Sequence, residues 1–271
     1  MDFIIGLLTF GLIIYGLYAI FKFLFFKKKP IKAPPLTAQQ KQDRDNDERK
    51  RLTEILNQPF NPAAEDSIPF FVFFDTETTG FVPDYTDVKD FEEFPFPVQL
   101  AWSVFDIEGR LIKQRDFILL QPTEIPQDAA KIHRITTEKM KEKGVDPIPV
   151  YEEFVSELKS AKYLIAHNLE YDDKVMKAEF YRKGLKLSLL SKKRICTMKK
   201  FKKFCGIPFP SGTGTKFPKL SEFAVCAFNS NLDPTRFSIK SGHNASVDVH
   251  VTAKCFFEML LTWGEIEIEQ E

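Results

Sequence analysis

A long uncharged run opens the chain and has the length of a membrane span. Residues Phe3–Phe21 contain no charged side chain, and as a helix they would extend about 28 Å, close to a bilayer's hydrocarbon thickness. Lys27–Lys29 follow, and basic residues favour the cytoplasmic end of a span. The alternative, a cleaved signal peptide, would carry its basic residues before the apolar run. The pattern predicts a single-pass membrane protein with residues 1–29 as transmembrane anchor, the N-terminus outside and the rest of the chain on the cytoplasmic side.

Residues 30–66 change to a mixed charged and proline-containing pattern. Prolines occur at both ends of this segment, where they interrupt regular structure. Between them, Leu52, Ile55 and Leu56 recur at helical spacing in a charged surrounding. The segment therefore predicts a linker with one short exposed helix and no chemistry of its own.

From residue 67 the pattern becomes that of an α/β domain, which we expect to end at residue 263. Four apolar runs have the length of strands: 70–74, 98–105, 111–120 and 163–166. A turn at 106–109 predicts that the second and third of these strands form a hairpin. Three later segments have helical periodicity: 150–158, 174–183 and 247–261. Residues 264–271 alternate Glu with Ile and are expected to form an acidic tail.

Composition excludes several classes of protein. With 44% hydrophobic and 28% charged residues, the chain is not intrinsically disordered as a whole. Its four cysteines form no C-x-x-C pair, which disfavours a disulfide scaffold and a zinc ribbon. The net charge is zero, but Lys192–Lys203 contains seven basic residues and no acidic one, with Phe201 and Phe204 among them. Such a segment could contact nucleic acid phosphates; the alternative is a solvated helix face.

Two carboxylates follow the first strand of the domain. Side chains two residues apart in a strand point to the same face, so Asp75 and Glu77 would lie side by side. Neighbouring carboxylates repel each other unless a cation neutralises them, and divalent metals with oxygen ligands do this. The alternative is a solvated strand end, because an Asp-x-Glu triplet arises by chance about once in a chain of this length.

Two further polar segments each lead into a predicted helix. The segment 167–172, His-Asn-Leu-Glu-Tyr-Asp, follows an apolar strand and places Asp172 near a helix start, where helix capping is the alternative role. The segment 243–248, His-Asn-Ala-Ser-Val-Asp, places His243 in a loop and Asp248 in a helix. The alternative for His243 is an ordinary exposed loop histidine.

Together, the three polar segments resemble the three motifs of the DEDDh 3′–5′ exonucleases, the DnaQ-like family that includes the proofreading subunit of bacterial DNA polymerase III. The resemblance covers about residues 68–260, and it departs from the family pattern at Tyr171, where Phe is usual, and at Arg134, where Gly is usual. It implies an α/β, ribonuclease-H-like fold with a mixed five-stranded sheet flanked by helices. It also implies hydrolysis of DNA or RNA from the 3′ end, with release of nucleoside 5′-monophosphates.

The resemblance further implies a role for each motif residue. Two Mg²⁺ or Mn²⁺ ions would be held by four carboxylates: Asp75, Glu77, Asp172 and Asp248. His243 would be the general base that activates water. Contacts to the substrate would come from five residues: Thr78, Thr79, Phe81, His167 and Asn168. Two other functions stay open, namely a membrane-tethered nucleic-acid-binding module without catalysis and a proofreading subunit held by a polymerase. The choice between DNA and RNA stays open too.

Overall fold

The computed structural model describes residues 36–81, 91–186, 193–239 and 243–263. By its internal contacts the chain divides into residues 1–44 and residues 45–271. Helix α1 (Ala38–Asn57) begins in the first of these units, and the other elements described below lie in the second. The predicted acidic tail, 264–271, lies outside the described residues.

A mixed five-stranded sheet in the order β3-β2-β1-β4-β5 forms the centre of the domain, as predicted. Its strands are β1 (Phe71–Thr78), β2 (Pro97–Phe105), β3 (Leu111–Ile118), β4 (Tyr163–Ala166) and β5 (Lys193–Cys196). The predicted β2–β3 hairpin is present, and β2 also pairs antiparallel with β1. On the other side, β4 pairs parallel with both β1 and β5. The carboxyl ends of β1, β4 and β5 therefore lie at one edge of the sheet.

Helices connect the strands and cover the sheet. They are α2 (Gln127–His133), α3 (Thr137–Lys143), α4 (Pro147–Ser160), α5 (Leu169–Arg182), α6 (Thr197–Lys200), α7 (Lys202–Cys205), α8 (Leu220–Ala227) and α9 (Ala245–Trp263). The three predicted helical segments correspond to α4, α5 and α9. The short helices and β5 gave no clear periodic signal, since an element of four residues is too short to show one.

The two faces of β1 pack against different helices. Phe71 and Phe73 face α9, and their ring centroids lie 5.8 and 5.4 Å from that of Phe256. Phe74 faces the opposite side and lies 5.2 Å from Phe154 of α4. Because side chains alternate along a strand, the next residues that share the face of Phe73 are residues 75 and 77. The core thus determines which face of β1 carries the two carboxylates.

Strand β1 extends further than its parallel neighbour β4. The last paired residues are Phe73 and Ile165, so the end of β1 from Phe74 to Thr78 has no strand partner on that side. Antiparallel pairing with β2 continues, with Asp75 opposite Ala101. Backbone groups at the carboxyl end of β1 are therefore available to side chains of α5, the helix that follows β4.

Part of the predicted linker packs into the domain core. Leu52 of α1 has no solvent exposure and Leu56 has 5%, and both belong to the same apolar cluster as Phe223 of α8. Arg49 Nη1 donates a hydrogen bond to the carbonyl of Arg236. The helical spacing that predicted an exposed helix is therefore the spacing of a buried face.

Shortening the side chain of Leu52 should measure how much this helix contributes to the domain. Leu52→Ala is expected to lower the free energy of unfolding by about 2–5 kcal/mol, because it leaves a cavity in a closed core. Glu54→Ala, on the exposed side of the same helix, is the control and should change stability by less than about 0.5 kcal/mol. Denaturant titration measures both. Equal stabilities would show that α1 is not part of the cooperative unit.

No helix in the described part of the chain is both long enough and apolar enough to cross a membrane. This finding goes against the predicted localisation as a single-pass membrane protein with its N-terminus outside and its catalytic domain cytoplasmic, and that prediction is not retained. The apolar segment on which it rested, residues 1–29, lies outside the described residues.

Candidate active site

Three of the four predicted ligand carboxylates meet at the carboxyl end of β1. Asp75 and Glu77 come from the strand, and Asp248 comes from the first turn of α9, which packs on the same face. One carboxylate oxygen from each of the three lies within 4.8 Å of the other two. Residues 75 and 248 are far apart in sequence, so the fold creates this cluster.

Asp172 approaches the same strand end from the other side. Its Oδ1 accepts hydrogen bonds from the backbone N–H of Thr76 at 3.1 Å and from the Thr76 hydroxyl at 2.7 Å. The backbone bond forms because β1 extends beyond β4, so this N–H has no strand partner. Asp172 is buried and lies close enough to raise the pKa of Asp75 by charge repulsion. The fourth predicted carboxylate thus lies beside the other three.

Burial raises the pKa of all four carboxyl groups, and their mutual repulsion adds to the effect for the strand residues. The pKa of Glu77 rises to about 8, that of Asp172 to about 7 and that of Asp248 to about 6. The pKa of Asp75 lies well above its usual range, through burial first and then through Asp172. Without a cation the cluster therefore retains protons at neutral pH, and a bound divalent cation would displace them.

These pKa shifts predict that the metal-free protein loses stability as the pH rises. A carboxyl group with a raised pKa binds more protons in the folded than in the unfolded state, so unfolding becomes easier between the two pKa values. In a chelator, the free energy of unfolding should fall by at least about 3 kcal/mol between about pH 5 and about pH 8.5. Glu77→Gln should flatten this slope, whereas the exposed Asp128→Asn should leave it unchanged. A slope of zero in the parent protein would contradict the prediction.

His243 is attached to the cluster through its backbone. Its N–H donates a 3.2 Å hydrogen bond to Asp248 Oδ2, and its φ of 63° lies in the left-handed region that few non-glycine residues adopt. Its side chain is exposed. Asn244 Oδ1 then accepts from the N–H of Val247 at 3.3 Å and caps α9. The loop therefore holds both His243 and the start of the helix relative to Asp248.

Gln99 also positions α9, and the sequence did not single it out. This buried side chain lies opposite Glu77 on β2, and its Oε1 accepts from the N–H of Ala245 at 3.2 Å. Its Nε2 donates to Asp116 Oδ1 at 2.7 Å. The signal in the sequence is a polar residue inside a strand whose other residues, except Ser103, are apolar. Gln99 links the first turn of α9 to the strand beside the carboxylates.

The predicted substrate contacts Thr78 and Thr79 stabilise the turn after β1. The Thr78 hydroxyl donates to the Gly80 carbonyl at 2.7 Å and lies 2.6 Å from the Tyr171 hydroxyl. Thr79 Oγ1 accepts from the N–H of Phe96 at 2.9 Å. Phe81, at the end of this turn, is 84% exposed. Of these three predicted contacts, only Phe81 has a side chain free of such bonds and directed to solvent.

His167 and Asn168 stand at the turn between β4 and α5. Both ring nitrogens of His167 are bonded within the protein, Nδ1 to the Thr197 hydroxyl at 2.9 Å and Nε2 to the Pro218 carbonyl at 3.0 Å. Burial lowers the pKa of His167 to about 4, so the ring is neutral. Asn168, with φ 74°, occupies the N-cap position of α5. Both ring nitrogens of His167 are thus used in hydrogen bonds within the protein, and its contact with substrate stays a prediction.

The sequence matches the family model for exonucleases of the RNase T type over residues 72–256. The matched region begins on β1, ends in α9 and includes every residue of the acidic cluster. This chain belongs to the exonuclease family. This family match confirms the predicted enzyme class, an exonuclease. None of the curated proteins is significantly similar to the sequence.

Solved exonuclease structures share the fold. Escherichia coli exonuclease I in complex with a dA16 oligonucleotide superposes with a TM-score of 0.54 at 19% identity, covering 72% of this chain and 41% of that chain. The zinc-bound form of the E. coli exonuclease I complex with single-stranded DNA has a TM-score of 0.53 at 20% identity, with 72% and 41% covered. This exonuclease therefore spans about two fifths of the length of those chains. The ribonuclease-H-like fold is confirmed.

The residues of this exonuclease site fit a hard divalent cation. All four groups are carboxylates, the oxygen donors that Mg²⁺ and Mn²⁺ prefer. Asp248 Oδ1 is buried and has no hydrogen-bond partner among the described residues. A buried charged oxygen without a partner is costly, and a cation would satisfy it. The donor set and this unpaired oxygen both agree with the predicted metal site.

The basic segment of the exonuclease is partly used for internal ion pairs. Arg194 pairs with Asp173 at 3.0 Å, and Lys199 pairs with Glu170. Both acids belong to α5, which lies beside β5. Lys192 lies outside the described residues. The six described basic side chains of 193–203 therefore do not form one uniform surface for nucleic acid, and Lys202 and Lys203 are the candidates that remain.

Proposed function

We propose that this protein is a two-metal-ion 3′–5′ exonuclease that hydrolyses phosphodiester bonds of DNA or RNA and releases nucleoside 5′-monophosphates. The observation that carries the proposal is the meeting of Asp75, Glu77 and Asp248 within 4.8 Å. Asp172 adjoins this cluster through its bonds to Thr76. Four closely placed carboxylates repel one another when they are ionised, and bound cations would neutralise them.

The four carboxylates would hold two Mg²⁺ or Mn²⁺ ions. Such ions, when bound, polarise the phosphate oxygens and make water nucleophilic at neutral pH. The protein contributes a fixed set of oxygens on rigid elements, two on a central strand and two at helix starts. Gln99 and Thr76 support these elements, since each bonds a backbone or side-chain group beside the ligands.

His243 is the proposed general base. A ring nitrogen would accept the proton of the water whose oxygen attacks phosphorus, while the bond from phosphorus to the 3′ oxygen of the shortened strand breaks. That oxygen takes up a proton and leaves as a hydroxyl. The exposed ring can reach an incoming strand, and the backbone bond to Asp248 keeps it beside the carboxylates.

The choice of nucleic acid as substrate has support beyond the carboxylates. The E. coli exonuclease I structures that share the fold include complexes with dA16 and dT13 oligonucleotides. A phosphodiester beside four carboxylates needs counter-charge, which the proposed cations would supply. The proposal includes both DNA and RNA, because discrimination depends on contacts to the 2′-hydroxyl.

The direction of hydrolysis can be tested with end-labelled strands. With Mg²⁺ or Mn²⁺, a 5′-labelled single strand should give a ladder that shortens one nucleotide at a time, and a 3′-labelled strand should release labelled mononucleotide at once. Chelator should stop both reactions. Matched DNA and RNA strands, single and double, define the preferred substrate. Internal cleavage, or release of mononucleotide from the 5′ end, would refute the proposal.

A further inference from the structure

A small hairpin projects between α7 and α8. The N–H of Lys216 donates to the carbonyl of Ile207 at 2.9 Å, and the N–H of Phe209 donates to Gly214 at 3.2 Å. A third bond, 2.9 Å from the N–H of Gly212 to Phe209, closes the turn. Gly212 and Gly214 have positive φ values of 80° and 76°, which glycine adopts readily. These bonds give residues 207–216 a defined shape.

The base of the hairpin is fastened beside the candidate active site. The carbonyl of Pro218 accepts the 3.0 Å bond from His167, which directly follows β4 at the carboxyl edge of the sheet. Lys216 forms an ion pair with the buried Glu222 of α8. Asp172 follows His167 by five residues, in the first turn of α5, so the hairpin is attached to the same segment that carries this carboxylate.

Two exposed aromatic rings and two lysines share this region. Phe209 is 44% exposed and Phe217 is 45% exposed. Lys202 Nζ lies 4.3 Å from the ring centroid of Phe217, and Lys203 beside it is exposed. The sequence has no acidic residue from Lys193 to Ser221. Unlike Arg194 and Lys199, Lys202 contacts an aromatic ring rather than a carboxylate.

We propose that Lys202, Lys203, Phe209 and Phe217, here called the hairpin surface, bind a single nucleic acid strand upstream of its 3′ end. Bases stack on exposed aromatic rings, and phosphates pair with lysines between those rings. Only a strand with unpaired bases can use the rings, because bases in a duplex stack on each other. The inference rests on the proposed function and deepens it, since it assigns single-stranded substrates to the protein.

Substrate length separates the hairpin surface from the catalytic site. A dinucleotide reaches only the cluster, whereas a single strand of about 20 nucleotides also reaches the hairpin. The double variant Phe209→Leu with Phe217→Leu keeps apolar bulk but removes both rings. It should raise KM for the long strand about 5- to 20-fold and leave kcat and the dinucleotide KM unchanged. The control is Ile68→Ala, which changes a 77% exposed residue before β1.

Salt dependence tests the lysines. Lys202→Ala should lower the slope of log binding constant against log salt by about 0.7 on a single strand, the value for one lost phosphate contact. Lys162→Ala is a matched control, because Lys162 Nζ lies 5.1 Å from the Phe70 ring centroid at the amino end of β4. That variant should leave the slope unchanged.

The outcomes distinguish the two proposals. If the parent protein hydrolyses neither substrate, the proposed function fails. If the parent hydrolyses both and the ring variants treat both as the parent does, the hairpin surface is refuted while the exonuclease stands. Equal losses on the long strand and the dinucleotide, or a lower unfolding midpoint than the parent, would mean that the rings serve the fold, which also overturns the inference.

Discussion

Asp75→Asn is expected to abolish nucleotide release while making the metal-free protein more stable. The amide has nearly the shape of the carboxyl group but cannot ionise, so the cluster loses one charge at its most crowded point. Asp75 is raised in pKa by burial and by the charges of three neighbours, Asp172, Asp248 and Glu77. Removing that charge weakens cation binding and also removes repulsion from the fold.

The two effects can be measured on one variant. The rate of mononucleotide release should fall roughly 1,000-fold, the loss typical when one preorganised electrostatic group is removed from an active site. In chelator at pH 8, the free energy of unfolding should rise by about 1–3 kcal/mol. Stabilisation by Mg²⁺, present in the parent protein, should largely disappear. The exposed Asp128→Asn serves as control and should behave like the parent in all three assays.

A rate within tenfold of the parent would remove Asp75 from the mechanism. A fall in metal-free stability would show instead that the carboxylate makes a structural bond that the amide cannot replace. The expected combination, an inactive but more stable protein, is the mark of a site kept at a cost to the fold. A functional requirement explains why four carboxylates, two of them buried and two partly buried, meet at one strand end.

The sequence predicted the elements whose signal is local. Strand β1 was recognisable because five apolar residues precede Asp75, and the two-residue spacing to Glu77 already placed both carboxylates on one face. The sheet and its flanking helices followed from the resemblance and were confirmed. Residues that act through tertiary partners were not recognisable. Gln99 caps a helix that begins at Ala245, and the sequence of the strand alone does not indicate that the backbone of Ala245 is its partner.

The same limit explains two differences between prediction and structure, one in the burial of a side chain and one in the pairing of charges. Leu52 lies in a charged segment, so its spacing was attributed to an exposed helix, although the core closes over it. Arg194 and Lys199 lie in a segment without acids, yet α5 brings Asp173 and Glu170 opposite them. Whether a charge is free or paired depends on the neighbouring element, which a single segment cannot reveal. The hairpin surface contains Lys202 and Lys203, which follow these two ion-paired residues in the sequence.

His243→Ala should reduce kcat by about 100- to 10,000-fold near neutral pH, the range for removal of a general base. Because the side chain is exposed, the free energy of unfolding should change by less than about 0.5 kcal/mol. Stabilisation by Mg²⁺ should persist, since the carboxylates are untouched. Rates of nucleotide release near neutral pH and thermal unfolding measure these effects.

His250→Gln provides the contrasting control two residues beyond Asp248. His250 packs against Phe60 with ring centroids 4.9 Å apart, so its loss should reduce stability and leave kcat near that of the parent. If His243→Ala keeps the parent rate, the base must be another group near the cluster. His133 is then the next residue to change, because burial lowers its pKa and the nearby charges of Lys139 and His243 lower it further. A large loss of kcat in His133→Gln would then transfer the role to that residue.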